Sequence, residues 1–379
     1  MINIHKKLNT EEKLSILSQD SQYDLACSCG INDADRRHRS NDDTWIYPVT
    51  LPNRGKTFLF KTLISNVCIN DCKYCPLRGN RDPKRCTLES EEVVKSFFDY
   101  YYKGKVMGLF LSSGVIGSPD KTMDRINQIA ARVRKKGFKG YIHLKVIPGA
   151  SNAAVEEAIT LGSAVSINIE TAGEKTFKTL CSSKDYLEDV IRPLKVISRL
   201  TAKGSKYSKV RQTTQFVVGA ADDTDRDLVK YSGRLYQKLG LSRIYFSAYQ
   251  RGLGENDLPG EQSLKSNGEV LTREHRLYQV DWLIRKYGFS VDEIPFEKDG
   301  NLSLEYDPKE VWARNNPGFF PLNINQADKD ELMRVPGLGL VTVNFILNFR
   351  KQVRRFRSLE DFGKLNKSLK KAEQYLRFS

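Results

Sequence analysis

Asn66-Val-Cys68-Ile-Asn-Asp-Cys72-Lys-Tyr-Cys75 sets three cysteines four and then three residues apart, with no fourth thiol inside the run. Directly before it, Thr57–Ser65 (Thr-Phe-Leu-Phe-Lys-Thr-Leu-Ile-Ser) has the short apolar character of a buried strand. Three thiolates neither complete a four-ligand structural zinc site nor fill the four positions of an ordinary iron–sulfur cluster. A metal centre held by this run alone keeps a coordination position open, and an open position is where a ligand can bind and react. Zinc with Cys86 or a histidine as fourth ligand is the competing reading; the four histidines, His5, His38, His143 and His275, all lie outside the run.

Downstream the strand pattern recurs at Met107–Ser112, Tyr141–Ile147, Ala164–Glu170, Thr213–Val218 and Arg243–Ala248. Helix-like segments separate or follow these strands: Ser90–Tyr102, Lys121–Lys136, Asn152–Leu161, Tyr186–Leu200, Thr224–Leu239 and Arg273–Tyr287. Near-continuous apolar strands alternating with amphipathic helices predict an α/β fold with a parallel sheet, here a partial (β/α)6 barrel over residues 57–294. In such architectures the active site gathers at the carboxyl ends of the strands, and the cysteine run stands at the end of the first one. Residues 1–56 read as a helical and irregular extension, with Thr10 as a possible cap for a helix over Glu11–Leu17. Turn-rich residues 295–321 read as a linker. Residues 322–379 read as a small, separate all-α domain.

The 379 residues suffice for a large domain and a small one, and 40% hydrophobic with 28% charged residues is an ordinary globular balance. A formal net charge of +15 favours polyanionic partners, nucleic acid above all. Seven cysteines, three of them clustered, suit a metal site in a cytoplasmic chain better than a disulfide framework. Neither a signal-peptide core nor an apolar run of the roughly 18 residues that a membrane span needs is present, so no membrane association is expected.

The cysteine run, with an aromatic residue before its last cysteine, resembles the cluster motif of the radical S-adenosylmethionine (SAM) superfamily. The resemblance implies a radical SAM barrel. It also implies a [4Fe-4S] cluster on Cys68, Cys72 and Cys75, whose open iron binds SAM for reductive cleavage to a 5′-deoxyadenosyl radical. Further sites follow from that resemblance. Ser112-Ser113-Gly114 stands where the family meets the methionine ammonium, and Ser166-Ile-Asn168-Ile-Glu170 where it meets the ribose and carboxylate. Strand alternation puts Ser166, Asn168 and Glu170 on one face, where three inward polar groups need partners. Lys145 can meet a carboxylate, that of the ligand or that of Glu170. Gly219, ending the fifth strand, is a candidate for packing against adenine.

At the other end, Val335-Pro-Gly337-Leu-Gly339 between two short helices resembles the helix–hairpin–helix motif of DNA-binding and repair proteins. Glycines let backbone N–H groups at a helix start approach a phosphate, with the helix dipole favouring the anion. Gly337, Gly339, Arg354 and Arg355 are the candidate nucleic-acid contacts, among Lys351, Arg357, Lys364, Lys367, Lys370 and Lys371. The stretch Leu365–Lys371 contains no glycine, which predicts a degenerate second hairpin.

From Tyr23-Asp24…Cys27 through Tyr245–Tyr249 and Arg273–Gln279 to Val335-Pro-Gly, the chain is similar to a family of radical SAM proteins assigned to DNA modification or repair. Cys29 and Cys86 depart from that pattern. The resemblance implies DNA as partner and an electron donor such as flavodoxin or ferredoxin. It leaves Cys27 as a hydrogen-atom donor or a buried thiol, and Tyr249, Arg251 and the Arg273–Arg276 run as substrate-side candidates, Tyr249 with Cys27 being the catalytic pair. An RNA-modifying enzyme of the same superfamily, and a non-catalytic iron–sulfur DNA-binding protein, are the alternative functions.

Overall fold

A computed structural model describes residues 8–21, 45–50, 55–352, 355–363 and 366–378. The chain divides into two compact units, residues 1–223 with 234–274, and residues 224–233 with 275–379.

The first unit opens with α1 (Thr10–Asp20), which buries Leu14 and Leu17. Asn9, not Thr10, is its cap, in a reciprocal box with Glu12. Strand β1 (Ile46–Thr50) then pairs antiparallel with β2 (Lys56–Leu63). After it come α2 (Ser90–Tyr102), β3 (Gly108–Ser112), α3 (Pro119–Lys135), β4 (Tyr141–Lys145), α4 (Asn152–Leu161) and β5 (Ala164–Ser166). The unit continues through α5 (Glu174–Leu180), a π-helical turn (Tyr186–Ile191) running into α6 (Arg192–Leu200), and β6 (Arg211–Val218). α7 (Asp225–Leu239), β7 (Arg243–Ala248), α8 (Pro259–Gln262) and α9 (Asn267–Lys286) follow, the division between the units falling within α7 and within α9.

Strand order in the sheet is sequence order, β1 to β7, and β2 to β7 are all parallel. The sheet is therefore an open (β/α)6 array, as expected, with one antiparallel strand added at its edge. Burial on both faces favours apolar strands, though not exclusively: seven of the eight residues of β6 are buried, only Arg211 being exposed, and four of the seven are the polar Gln212, Thr213, Thr214 and Gln215. β1 escapes that pattern because it is an edge strand carrying Pro48, tolerable only where no second neighbour needs the missing N–H. Parallel pairing brings the carboxyl ends of six strands to one rim, and the cysteine run begins there.

In the second unit, α10 (Pro308–Asn315) and β8 (Leu322–Asn323) precede α11 (Lys329–Arg334), α12 (Leu340–Lys351), α13 (Lys367–Ala372) and β9 (Leu376–Arg377). β8 and β9 pair in parallel, joining the ends of the helical region. Its core contains Ile324, Leu332, Val335, Val343, Ile346, Phe356 and Leu369, with Tyr287 and Phe320 packed against it. The boundary thus differs from the expected one: residues 275–321 belong with this unit, not with a barrel and a linker. The turn-rich composition concealed a packed element, since Trp312 of α10 is buried edge-on against Phe289, Phe319 and Phe320.

Lys309 is buried in this unit, where its Nζ donates to the Leu338 carbonyl at 2.6 Å and lies 4.9 Å from the Tyr287 ring. Burial pulls its pKa down to about 7. Between that value and the ordinary lysine value the unfolded chain holds a proton that the folded chain lacks, so stability rises with pH across this window. Lys309→Met is expected to remove that rise, flattening the melting temperature between pH 7.5 and 9.5, on the order of one proton's worth of slope. An unchanged slope would count against a neutral buried amine.

Candidate active site

A cavity of about 190 Å³ opens at the carboxyl rim of the sheet in the first unit, with Cys68, Cys72 and Cys75 in its wall. Cys72 is buried and the other two cysteines are partly so. The loop carrying them is tied to the strand ends: Ile69 N donates to Val115 O at 3.0 Å, and Gly114 N to Ser65 O at 2.7 Å. Arg85 holds its return path, donating to the carbonyls of Leu77 (2.9 Å), Arg78 (2.8 Å) and Arg81 (2.9 Å). Gly114 is a steric requirement. A Cβ there would lie 2.3 Å from Val67 O and 3.3 Å from Cys68 Cβ, so the turn after β3 packs directly on the backbone of the cysteine loop.

Cys86 does not join the thiols. Its backbone N–H donates to Asn66 Oδ1 at 2.8 Å, while its Sγ faces the Lys13 carbonyl at 3.9 Å and burial pushes its pKa up to about 11. Among the described residues no three His, Cys, Asp or Glu side chains converge as the ligands of a single ion would. The zinc reading with Cys86 as fourth ligand therefore has no geometry here. A polynuclear cluster gives each thiolate its own iron and asks for no such convergence.

Ser112, Ser113, Gly114, Lys145, Asn168 and Glu170 line the same cavity. Glu170 is the most constrained of them. It is 5% exposed, adopts φ 66° without being glycine, and its Oε2 has no hydrogen-bond partner among the described residues. A left-handed backbone and an unsatisfied buried acceptor are both costly, and both mark positions shaped for a ligand. Burial raises its pKa, against the pull of Lys184 and Lys145. Tyr74 is raised well above the usual phenol value by burial and by Glu170.

Two residues expected with this group stand elsewhere. Ser166 lines a second cavity, of about 120 Å³, where His143 Nε2 lies 2.9 Å from its Oγ. Lys145 and Asn168 line both cavities, whereas Glu170 lines only the first. Gly219 does not line either cavity; its φ of 86° serves a tight turn, and its carbonyl sits 2.5 Å from where Gly260 would carry a Cβ. Val217, two residues earlier, takes the place in the wall.

Tyr249 does line the cavity, but its hydroxyl donates to Glu261, which also accepts from Gly252 N and Gly254 N at 2.9 Å each. Burial, with Glu261, holds the phenol well above its usual pKa. Its position suits wall-building better than proton transfer. Arg273 donates to the Asp223 carbonyl and Arg276 to the carbonyls of Ser303 (3.1 Å) and Leu304 (3.1 Å), which occupies both in structure. Cys27, Cys29 and Arg354 lie outside the described residues.

Sequence reasoning missed the loop after α5. Cys181 Sγ lies 3.6 Å from Cys72 Sγ, and Lys184 lines the cavity beside it. The contact with Cys181, with help from Lys184 against burial, draws the Cys72 pKa down to about 6. Burial and the Cys72 charge push Cys75 up to about 12. Against burial, hydrogen bonds from Ser182, Ser183 and Cys181 hold Asp71 well below the usual carboxylate range. Gln250, whose buried Oε1 also has no partner among the described residues, is a second missed wall residue. No spacing signals either position, since both reach the site through tertiary contact.

In the second unit Gly339 caps α12 without a side-chain hydrogen bond, and no acidic residue stands in its first turn. Gly337 has φ 88°, and a Cβ there would meet Ser368 O at 2.1 Å, so the first hairpin turn packs on the start of α13. Gly363 (φ 75°) follows a 3₁₀ turn at Leu359–Phe362. Lys351, Arg355, Arg357, Lys367 and Lys370 are exposed, whereas Lys371 pairs with Asp307 (2.8 Å) and with Glu310.

Residues 321–377 match the model of the helix-hairpin-helix motif. No curated protein matches the chain. Among solved structures, the FeFe-hydrogenase maturase HydG from Carboxydothermus hydrogenoformans aligns with 17% identity and a TM-score of 0.44, over 57% of this chain and 50% of that one. The chain thus spans half the length of that maturase. A second HydG structure gives 14% identity and a TM-score of 0.45, covering 73% of this chain and 62% of HydG. Methylornithine synthase PylB gives 14% and 0.44, covering 73% of this chain and 75% of that enzyme. Each is a partial likeness of backbone. No helix among the described residues is long and apolar enough to cross a membrane.

Proposed function

We propose that this chain is a radical SAM enzyme acting on nucleic acid, with DNA modification or repair as the reaction. The observation that carries the proposal is the meeting, in one cavity, of three thiols with no fourth ligand among the described residues and the unsatisfied Oε2 of buried Glu170. The residues fit the cofactors. Cys68, Cys72 and Cys75 would hold a [4Fe-4S] cluster, and the close fit at Gly114 keeps their loop against the strand end. When bound, the cluster would supply the electron that splits SAM at the open iron, drawn from a donor of the flavodoxin or ferredoxin class.

The chain's own residues bind and orient. Glu170 and Asn168 offer an acceptor and an amide to the polar groups of SAM. Lys145 matches a carboxylate, and Ser113 offers a hydroxyl beside it in the same cavity. Leu63, Val217 and Leu253 in the same wall exclude water from a reactive radical.

The nucleic-acid part rests on the helix-hairpin-helix match, the absence of an acidic residue from the first turn of α12 and the net charge of +15. Contacts of that kind hold a phosphate backbone without reading sequence, so a base in duplex would still have to be extruded. Replacing Lys351, Arg355, Arg357 and Lys367 together by Gln is expected to weaken binding to duplex DNA. It should also lower the slope of log K against log salt by about 0.9 for each phosphate that the protein no longer neutralises. An unchanged slope would remove the hairpin from the interface. The substrate itself is tested by mass spectrometry of nucleosides from DNA and RNA after anaerobic turnover, with a Cys72→Ala control. A new nucleoside in DNA alone supports the proposal. One in RNA alone replaces it by RNA modification, and none in either leaves a non-catalytic iron–sulfur DNA-binding protein.

A further inference from the structure

The loop after α5 is stitched to the cysteine run at several points. Lys73 N donates to Leu180 O at 2.8 Å and Asp71 N to Ser183 Oγ at 3.3 Å. In return, the Asp71 carboxylate accepts from Ser182 N (3.2 Å), Ser183 N (3.0 Å), Ser183 Oγ (2.6 Å), Ser182 Oγ and Cys181 Sγ (3.1 Å). This clamp places two side chains on one thiol: Cys181 Sγ, 3.6 Å from Cys72 Sγ, and the Lys184 ammonium, which faces Cys72, Cys181 and Glu170.

A ligating Cys72 carries no proton and can only accept. Asp71 has four donors besides Cys181, so the Cys181 S–H is free to turn to the thiolate. At 3.6 Å from Cys72 Sγ, Cys181 could reach only the iron that Cys72 itself would hold, and a cluster iron takes one protein thiolate, which argues against Cys181 as a further ligand. Hydrogen bonds and positive charge at cluster sulfurs favour the reduced, more negative state.

We infer that the Cys181–Lys184 loop sets the reduction potential of the cluster through Cys72, with Cys181 and Lys184 as positioning residues that donate to this one thiolate. The inference rests on the radical SAM reading of the site.

The test is a redox titration of the reconstituted full chain, read by the electron paramagnetic resonance signal of the reduced cluster. The wild type is compared with Lys184→Met, Lys184→Arg, Cys181→Ala and Cys181→Ser. In Lys184→Met the reduced-to-oxidised ratio at a fixed potential is expected to fall at least tenfold, a negative shift of about 59 mV for one electron. Cys181→Ala should shift the same way by less, and the Arg and Ser variants should recover most of each shift with iron content unchanged. Wild-type potentials in both Met and Ala variants would overturn the inference, as would loss of iron from both, which would make the loop a scaffold. If the wild type forms no cluster that responds to SAM, the functional reading falls and takes the inference with it. If that cluster forms and responds but the variants titrate like it, the inference alone falls.

Discussion

Cys72→Ala, reconstituted anaerobically with iron and sulfide, is expected to retain no more iron than a protein without the cysteine run and none of the visible absorbance of a cluster. Cys72 is the buried member of the three thiols and the one that the loop after α5 holds in place. With three ligands and an open fourth position, removing one leaves two. Cys86 faces the Lys13 carbonyl, so Cys86→Ala should load iron like the wild type. Cys181 is close enough to be a substitute, and the double variant Cys72→Ala/Cys181→Ala separates that possibility. Full iron content in Cys72→Ala and in the double variant would contradict the ligand assignment.

Gly114→Ala should nearly match that loss without touching a ligand. The added methyl would sit 2.3 Å from the Val67 carbonyl oxygen, and backbone on both sides cannot yield as a flexible side chain would. Overpacking of this kind costs about 1–3 kcal/mol. The strain falls on the loop carrying Cys68, because the sheet under Gly114 is buried on both faces. Far-ultraviolet circular dichroism should be unchanged, the melting temperature lowered by a few degrees, and iron content reduced several-fold. Ser113→Ala, one residue earlier and introducing no steric overlap, is the control. Wild-type iron loading in Gly114→Ala would show that the loop can move aside freely.

Much of this architecture was legible in the chain. The six parallel strands announce themselves because burial on both faces favours apolar residues, polar ones such as Thr213 and Gln215 standing where the sheet lines a cavity, and β7 (Arg243–Ala248) matches its expected bounds. β1 was not legible: it is five residues long, antiparallel, and carries a proline. Ala164–Glu170 read as one strand, yet pairing stops at Ser166, because the left-handed φ of Glu170 turns the chain out of the sheet. That turn aims its carboxylate into the cavity, and no propensity scale anticipates it. Gly114 was recognisable as important, but for contacts to a ligand rather than for its fit against Val67. The loop Cys181–Lys184 carries no motif, since its partners are about a hundred residues away in sequence (Cys72 and Cys181 are 109 apart). The helical residues taken for a linker were hidden by Asn, Pro and Gly flanking a single buried tryptophan.

The decisive measurement is 5′-deoxyadenosine formed from SAM by the anaerobically reconstituted wild-type chain with dithionite. The three thiols and Glu170 predict deoxyadenosine and methionine in equal amounts, dependent on reductant and absent in Cys72→Ala. A wild-type chain with its full complement of iron, and deoxyadenosine no higher than in the Cys72→Ala control, would contradict the assignment of this cavity to SAM cleavage.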